Sequence, residues 1–193
     1  MISLFPILIH QFDVFGFKKI QDKLIDFVYA ERKKDSEGLN KSNVGGWHSI
    51  NFCDENAIIV STIKNEVGNY FSTNRIFKEG NELKIINTWI NINKKGDRND
   101  RHMHPGSHLS GVFWIKIPDK SGNLIFDSPH GFTQYDEISN YSDPIKQRYN
   151  VFTSYWIPPV EGRIVLFPSI LSHKVGKNES NKDRISVSFN LKL

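Results

Sequence analysis

The pattern of apolar and polar positions changes its period near residue 80. Before this point apolar residues recur at spacings of three and four, which predicts amphipathic helices over Phe17–Lys34 and Glu55–Phe77. Leu83–Asn93 instead alternates and is rich in β-branched residues, as expected of a strand. A short apolar run at Leu4–Ile9 predicts a first strand ahead of the helices. Residues 1–80 are therefore expected to be the helical part of the chain.

Beyond Asn93 the sequence predicts only short strands, separated by turns that are rich in proline and glycine. The predicted strands are Leu109–Ile117, Asn123–Phe126, Tyr149–Trp156, Arg163–Phe167, His173–Gly176 and Arg184–Leu193. Two helices followed by a series of short strands indicate a mainly β fold, a barrel or sandwich supported by N-terminal helices. The length of 193 residues suits a single domain over 1–193, with its β core over 83–193.

Composition and charge narrow the classes of function. The net charge is +4, but the basic residues are scattered among acidic ones, and no motif supports nucleic-acid binding. No apolar run approaches the ~20 residues of a membrane helix, and Leu4–Ile9 lacks the flanking features of a signal peptide. The single cysteine, Cys53, excludes an internal disulfide and a cysteine-rich zinc site. These features predict a soluble cytoplasmic protein.

His102 and His104 are the first candidates for chemistry because they lie two residues apart. On a strand, residues at this spacing point to the same face, so both imidazoles can bind one metal ion. A usable site needs a third ligand from elsewhere in the fold, and His173 is the best candidate. A histidine near a turn is more often a surface residue than a ligand, so the pair alone leaves both interpretations open.

Arg184 and Ser186 have the same spacing near the C-terminus. On one face of a strand they offer a guanidinium and a hydroxyl, a combination that binds a carboxylate. Arginine stays charged in an apolar cavity, which lysine does less well. Taken alone, Arg184 also fits a surface salt bridge on an edge strand.

Several blocks of the sequence together resemble the 2-oxoglutarate/Fe(II)-dependent oxygenase family found in bacteria and phages. The blocks are Gly45–Ser49, Trp89–Ile92, His102–Val112, Pro159–Pro168 and Arg184–Asn190, so that the resemblance covers roughly residues 45–193. It implies a double-stranded β-helix core, the jelly-roll and cupin-like fold, with Fe(II) and 2-oxoglutarate as cofactors and O₂ as co-substrate. It also implies hydroxylation of a substrate that the sequence does not name; small molecules, protein side chains and nucleobases all remain open.

The resemblance also implies roles for particular residues. In that superfamily an arginine about ten residues after the distal histidine holds the far carboxylate of 2-oxoglutarate, and Arg184 stands eleven residues after His173. Ser186 would assist it. Asn91 either binds the 1-carboxylate of 2-oxoglutarate or satisfies buried polar groups.

One departure from the family pattern concerns the third metal ligand, which is usually a carboxylate two residues after the first histidine. His104 stands there instead. We favour His104 itself as the ligand. Alternatively Asp127 completes the site from a neighbouring strand, or His104 contacts the substrate or orients a ligand. His108 is expected at the rim of the site or behind a ligand.

Two other functions fit the same residues. One is a cupin-type metal protein, meaning a dioxygenase that does not use 2-oxoglutarate, an isomerase or a binding module. The other is an inactive barrel in a larger assembly. Arg184 with Ser186 discriminates between the classes, because only the oxoglutarate interpretation gives this pair a task. The segment Ser128–Asn150, with Tyr135, Tyr141 and Tyr149, is expected to line the substrate pocket.

Overall fold

The computed structural model describes residues 3, 5–78, 80, 81, 83–131, 138 and 140–193. Its helices are α1 (Phe17–Lys34), α2 (Ile58–Asn74) and α3 (Asp143–Tyr149). Its strands are β1 (His10–Asp13), β2 (Asn43–Val44), β3 (Trp47–His48), β4 (Lys84–Asn93), β5 (Arg98–His102), β6 (Leu109–Lys116), β7 (Leu124–Asp127), β8 (Ser154–Ile157), β9 (Arg163–Pro168), β10 (His173–Val175) and β11 (Arg184–Lys192).

The strands form two sheets in which every pair of neighbours is antiparallel. The six-stranded sheet has the order β1-β9-β6-β11-β4-β3, and the five-stranded sheet has the order β2-β5-β10-β7-β8. Sequential strands alternate between the two sheets from β4 onward in several places, as in a jelly roll. The mainly β class predicted from the sequence is therefore confirmed.

Two apolar clusters order the layers. Leu24 of α1 and Ile63 of α2 pack with Val187 on the outer face of the six-stranded sheet. Val112 of the six-stranded sheet and Phe126 of the five-stranded sheet belong to a second cluster between the sheets. The layers are thus helices, six-stranded sheet and five-stranded sheet. No helix of the described residues is long and apolar enough to cross a membrane.

β4 and β11 lie side by side and have an unusual inner face. Their apolar residues point toward the helices, as Ile90 and Val187 do. Their polar residues point toward the other sheet instead of toward solvent, and they are buried: Asn91, Asn93, Arg184, Ser186 and Asn190. Burying polar groups is unfavourable unless they are paired. In this stripe Oδ1 of Asn91 and Nε and Nη2 of Arg184 have no partner among the described residues, which indicates a site for a polar ligand.

Four predictions about the elements were wrong or incomplete. Residues 5–9 form no strand, and the first strand of the described residues begins at His10; Ile7 and Ile9 pack against the cluster between the sheets without joining a ladder. The helix predicted over Glu55–Phe77 is shorter at both ends. The predicted strand Tyr149–Trp156 is the end of α3 followed by β8, and the prediction of only strands after residue 93 fails at α3.

Candidate functional site

The three candidate metal ligands come together at one end of the space between the sheets. His102 ends β5 and pairs in register with His173, the first residue of β10. His104 follows two residues later, and its main-chain N–H donates to the carbonyl of Ser169 at 2.8 Å. One ligand atom from each imidazole lies within 4.8 Å of the others, and within the described part of the chain this is the one group arranged to hold a metal ion.

Hydrogen bonds fix the tautomers of two of these histidines. The Nδ1–H of His102 donates to the carbonyl of Asp100 at 2.7 Å, and the Nδ1–H of His173 donates to the carbonyl of Leu171 at 2.8 Å. A carbonyl only accepts, so in the neutral imidazole the lone pair lies on Nε2. Both rings are thus held with a metal-binding nitrogen available.

The site keeps its imidazoles neutral. Burial lowers the pKa of His102. Burial, followed by repulsion from His102, lowers the pKa of His104 to about 4 and that of His173 to about 3. A protonated imidazole cannot bind a metal ion, so at neutral pH the three rings need lose no proton before binding.

The spacing of the rings also suits a shared ion. Their centroids are 4.3 Å apart for His102 and His173, 4.9 Å for His102 and His104, and 5.1 Å for His104 and His173. Two nitrogens on one ion with bonds of about 2.1 Å are at most about 4.2 Å apart. The ring nitrogens, which lie within 4.8 Å of one another, would therefore have to move closer together for all three to bind one ion.

Arg184 is buried in the space between the sheets. The residue is 1% exposed, and burial lowers its pKa to about 10, so its guanidinium stays charged at neutral pH. Its Nη1 donates to the hydroxyl of Ser186 at 3.0 Å, whereas Nε and Nη2 have no hydrogen-bond partner among the described residues. An unpaired buried cation destabilises the folded protein, and an anionic ligand that accepts hydrogen bonds from these donors would offset this effect.

An inner cavity connects Arg184 with the histidines. Its lining includes His102, His104, His173, Trp89, Asn91, Trp114, Arg184, Ser186 and Ser188. Asn91 donates to the hydroxyl of Ser188 at 3.3 Å, while its Oδ1 is buried without a partner. The structure thus brings the predicted residues His102, His104, His173, Arg184, Ser186 and Asn91 to one cavity.

An outer cleft of about 640 Å³ opens on the other side of the histidines. Besides His102 and His104 it is lined mainly by polar residues, among them Asn40, Lys41, Asn43, Asn51, Asn87, Arg101 and Asn190. Tyr141 and Tyr149 do not line it, and Tyr135 lies outside the described residues. This cleft leads to the histidines and is large enough for a small molecule or a side chain.

His48 also lines the outer cleft, although the sequence did not mark it as a candidate for the site. It is buried and stacks on Trp89 with ring centroids 5.8 Å apart. The ring of Trp89 in turn lies beside that of His104, with centroids 5.3 Å apart. The register of β3 with β4 sets His48 opposite Asn91, on the inner face. The two-residue strand β3 has too short a pattern to be recognised, so the sequence carried little signal for this position.

Asp127 and His108 lie apart from the three histidines. Asp127 follows Phe126, which faces inward beside His173, so its carboxylate points to the opposite face of β7. There it pairs with Arg101 at 3.0 Å. His108 is exposed, and its Nδ1 accepts the main-chain N–H of Leu193 at 2.8 Å.

Comparison with solved structures shows the same fold in several oxygenases. A Pseudomonas putida prolyl-4-hydroxylase is 14% identical with a TM-score of 0.63, covering 95% of this chain and 91% of that one. The collagen prolyl hydroxylase of Paramecium bursaria Chlorella virus-1 is 14% identical with a TM-score of 0.61, covering 96% of each chain. The Trichoplax adhaerens prolyl hydroxylase is 12% identical with a TM-score of 0.62, covering 95% and 83%. These likenesses confirm the double-stranded β-helix core.

A family model supplies the evidence for identity. None of the curated proteins matches the chain. The model described as "Putative 2OG-Fe(II) oxygenase" matches residues 87–190, more than half of the chain and the part that contains the three histidines and Arg184. Enzymes of this kind use Fe(II), 2-oxoglutarate and O₂, which favours this function over a cupin-type protein or an inactive barrel. The chain belongs to the 2OG-Fe(II) oxygenase family and is a 2-oxoglutarate-dependent dioxygenase.

Proposed function

We propose that His102, His104 and His173 bind one Fe(II), and that Arg184 with Ser186 binds the far carboxylate of 2-oxoglutarate. The enzyme would then hydroxylate a small molecule or a protein side chain held in the outer cleft. When bound, the iron supplies the activation of O₂ that couples the decarboxylation of 2-oxoglutarate to succinate with oxidation of a C–H bond. The observation that carries the proposal is a buried arginine with unpaired donors in the same cavity as three neutral imidazoles.

The assignment of His104 as a ligand is supported by the positions of the alternatives. Asp127 is engaged by Arg101 and Ser172 on the outer side of its strand. Reaching the histidines would require breaking this ion pair and turning the side chain through the sheet. A ring nitrogen of His104, by contrast, already lies within 4.8 Å of those of His102 and His173, and its main chain is held by Ser169.

The depth of Arg184 supports its pairing with a dicarboxylate. On β11, Ser188 pairs with Trp89 beside His104, whereas Arg184 lies four residues further inward and pairs with Asn93. Four residues of strand span about 13 Å. The side chain of Arg184 extends back along β11 to Ser186, so its guanidinium lies closer to the histidines than its main chain does. The remaining gap suits a short molecule with an acidic group at each end. The side chain of Asn91 reaches toward the histidines, since its amide donates to Ser188, and it is proposed to contact the near carboxylate.

The remaining predictions from the sequence are part of the same proposal. We propose that residues 1–193 form a single domain, because α1 and α2 share one apolar cluster with the six-stranded sheet. A cytoplasmic location is proposed from the composition, since the only cysteine, Cys53, is free.

The proposal is tested by titrating 2-oxoglutarate into the Fe(II)-loaded protein without oxygen and recording the metal-to-ligand charge-transfer absorption. Removing one partner of a desolvated charge pair costs about 2–5 kcal/mol, so Arg184→Ala should bind 2-oxoglutarate roughly thirty- to several-thousand-fold more weakly while retaining iron. Arg184→Lys should recover part of the affinity, because lysine lacks the bidentate fork.

The matched control is Arg148→Ala, which removes an exposed arginine of α3 and should leave the titration unchanged. Unchanged affinity in Arg184→Ala would contradict the role of Arg184. A parent protein that shows neither the absorption band nor succinate formation with O₂ would contradict the proposed function as a whole.

A further inference from the structure

One polar group of the inner cavity has no task in the function proposed above. Trp114 of β6 is fully buried, at 0% exposure, and its indole Nε1–H has no hydrogen-bond partner among the described residues. An unsatisfied buried donor of this kind is destabilising, and native structures contain few of them. Trp114 lines the same cavity as Arg184.

The strand register brings Trp114 to the level of the arginine's partner. Ser186 pairs in register with Trp114 of β6 on one side and with Asn91 of β4 on the other. The register of β6 shifts at this point: Ser186 pairs with Trp114 and Ile185 pairs with Lys116, so Ile115 is the extra residue of a bulge. Bulges next to binding sites redirect side chains. Trp114, Ser186 and Asn91 therefore stand side by side on three neighbouring strands.

The chemistry of the unpaired groups defines what they can bind together. Nε and Nη2 of Arg184 and Nε1 of Trp114 are all N–H donors without partners. A carboxylate has two oxygens that accept about four hydrogen bonds, so one carboxylate can accept from all three donors. A hydroxyl or an amide oxygen has two lone pairs and would leave a donor unpaired.

We propose that Trp114 is a cofactor-binding residue that donates its indole N–H to the same far carboxylate that Arg184 binds. This inference rests on the proposed function, because it takes the carboxylate to be that of 2-oxoglutarate. The indole adds a neutral, fixed donor beside a charged one, and it selects for ligands that carry an acidic group at this depth. Trp114 would thus contribute to the preference for 2-oxoglutarate over 2-oxo acids with a neutral end.

The test compares two ligands that share the metal-binding end. 2-Oxoglutarate has the far carboxylate, whereas 2-oxobutanoate carries the same keto and 1-carboxylate groups with a methyl end. Binding of each to Mn(II)-loaded protein is measured by calorimetry. Trp114→Phe keeps an aromatic ring and removes the donor. It should bind 2-oxoglutarate roughly ten- to a hundredfold more weakly, the range for a hydrogen bond to a charged group, and 2-oxobutanoate as well as the parent does.

Trp156→Phe is the matched control, because Trp156 is an exposed tryptophan on β8, and its affinities should equal those of the parent. Equal weakening of both ligands by Trp114→Phe would indicate a general loss of packing and overturn the inference. If the parent and Trp114→Phe bind 2-oxoglutarate equally while Arg184→Ala does not, the inference about Trp114 fails and the proposed function stands. If the parent binds no 2-oxoglutarate, the proposed function fails first.

A second measurement does not depend on the folding of a variant. The four tryptophans give four indole N–H resonances in the Zn(II)-loaded parent protein. Addition of 2-oxoglutarate should shift the Trp114 resonance downfield and slow its exchange with solvent, and 2-oxobutanoate should not. The resonance is assigned by its absence in Trp114→Phe or by elimination with phenylalanine variants of the other three. An unshifted resonance at saturating 2-oxoglutarate would overturn the inference.

Discussion

Single side chains set the charge of the candidate metal site. Three neutral imidazoles leave the full charge on a bound divalent ion, whereas the usual pair of imidazoles with a carboxylate offsets one unit of it. A site of three imidazoles therefore attracts a dianionic cofactor more strongly than a site of two imidazoles and a carboxylate does. The buried Arg184 adds a further positive charge in the same cavity.

Substitution of each proposed ligand tests the three-histidine assignment. His102→Ala, His104→Ala and His173→Ala should each lose most of the iron, measured as anaerobic iron stoichiometry. His104→Asp should retain it, because a carboxylate is an alternative oxygen ligand at that position. His108→Ala is the matched control, since this histidine is exposed and bonds Leu193. Full iron in His104→Ala together with loss in Asp127→Ala would replace the assignment by the carboxylate site.

The buried imidazoles also make the metal-free protein sensitive to acid. The pKa of His173 is about 3, below the 6.5 of an exposed histidine, mainly because of burial. Below pH 6.5 the unfolded chain therefore binds more protons than the folded one, so the contribution to stability is complete above pH 6.5 and declines as the pH falls toward 3. Between these two pH values, one such group lowers the free energy of unfolding by about 1.4 kcal/mol for each pH unit of acidification.

Urea unfolding of the metal-free protein at pH 7.5 and pH 5 measures this dependence. The midpoint should fall at the lower pH, and the fall should be smaller in His173→Asn, which removes the titrating group. A fall of equal size in both proteins would show that His173 is not responsible.

Close packing on the helix-facing side of the six-stranded sheet holds the strands of the site in position. Gly111 of β6 faces Phe189 and Leu166, and an added Cβ would clash with the Phe189 ring and lie 2.7 Å from Leu166. Both neighbours are fully buried, so neither can turn toward solvent to relieve the clash. Gly111→Ala should therefore destabilise the protein by about 1–3 kcal/mol, as overpacking does. Gly68→Ala in α2 is the control, because nothing lies near its Cβ and alanine favours helix. If Gly111→Ala unfolds at the same urea concentration as the parent, the packing argument is wrong.

Elements with a long apolar period could be predicted from the sequence. α1 was predicted with its observed ends, and β4, β6, β9 and β11 nearly so, because each carries an extended pattern. β5 was missed since Arg98–His102 is almost entirely polar, and its pairing with β10 depends on distant residues. α3 was missed although Ser142 followed by Asp143 and Pro144 is a helix-start signal.

The candidate site was predictable to the extent that strands impose a period of two. That rule placed Arg184 and Ser186 on one face of β11. It also predicted a shared face for His102 and His104, but β5 ends at His102, and His104 lies two residues beyond the strand. It could not reveal that the polar faces of β4 and β11 point inward, because alternation alone does not distinguish a buried polar face from a solvated one. Trp114 and His48 therefore emerged only when the register of neighbouring strands was known.

The complete site joins the two sheets. His102 and His173 belong to the five-stranded sheet, whereas Arg184 and Ser186 belong to the six-stranded sheet. A ligand that spans the cavity contacts both sheets, so its binding should stabilise the chain as one unit. 2-Oxoglutarate is proposed to bind the metal at one end and Arg184 at the other. The stabilisation that it gives should therefore require both the metal ion and Arg184.

Thermal unfolding with Mn(II) and 2-oxoglutarate tests this coupling together with the single-domain proposal. A ligand at a hundred times its dissociation constant adds about 2.7 kcal/mol, which raises the Tm of a chain of this size by about 5–10 °C. Mn(II) alone should raise the Tm of the parent, and 2-oxoglutarate should raise it further only with Mn(II) present. In His173→Ala neither Mn(II) nor 2-oxoglutarate should raise the Tm. In Arg184→Ala, Mn(II) should raise the Tm and 2-oxoglutarate should not raise it further. One transition is expected throughout; two separate transitions, or a 2-oxoglutarate effect that persists in His173→Ala, would contradict a single unit held together across its metal site.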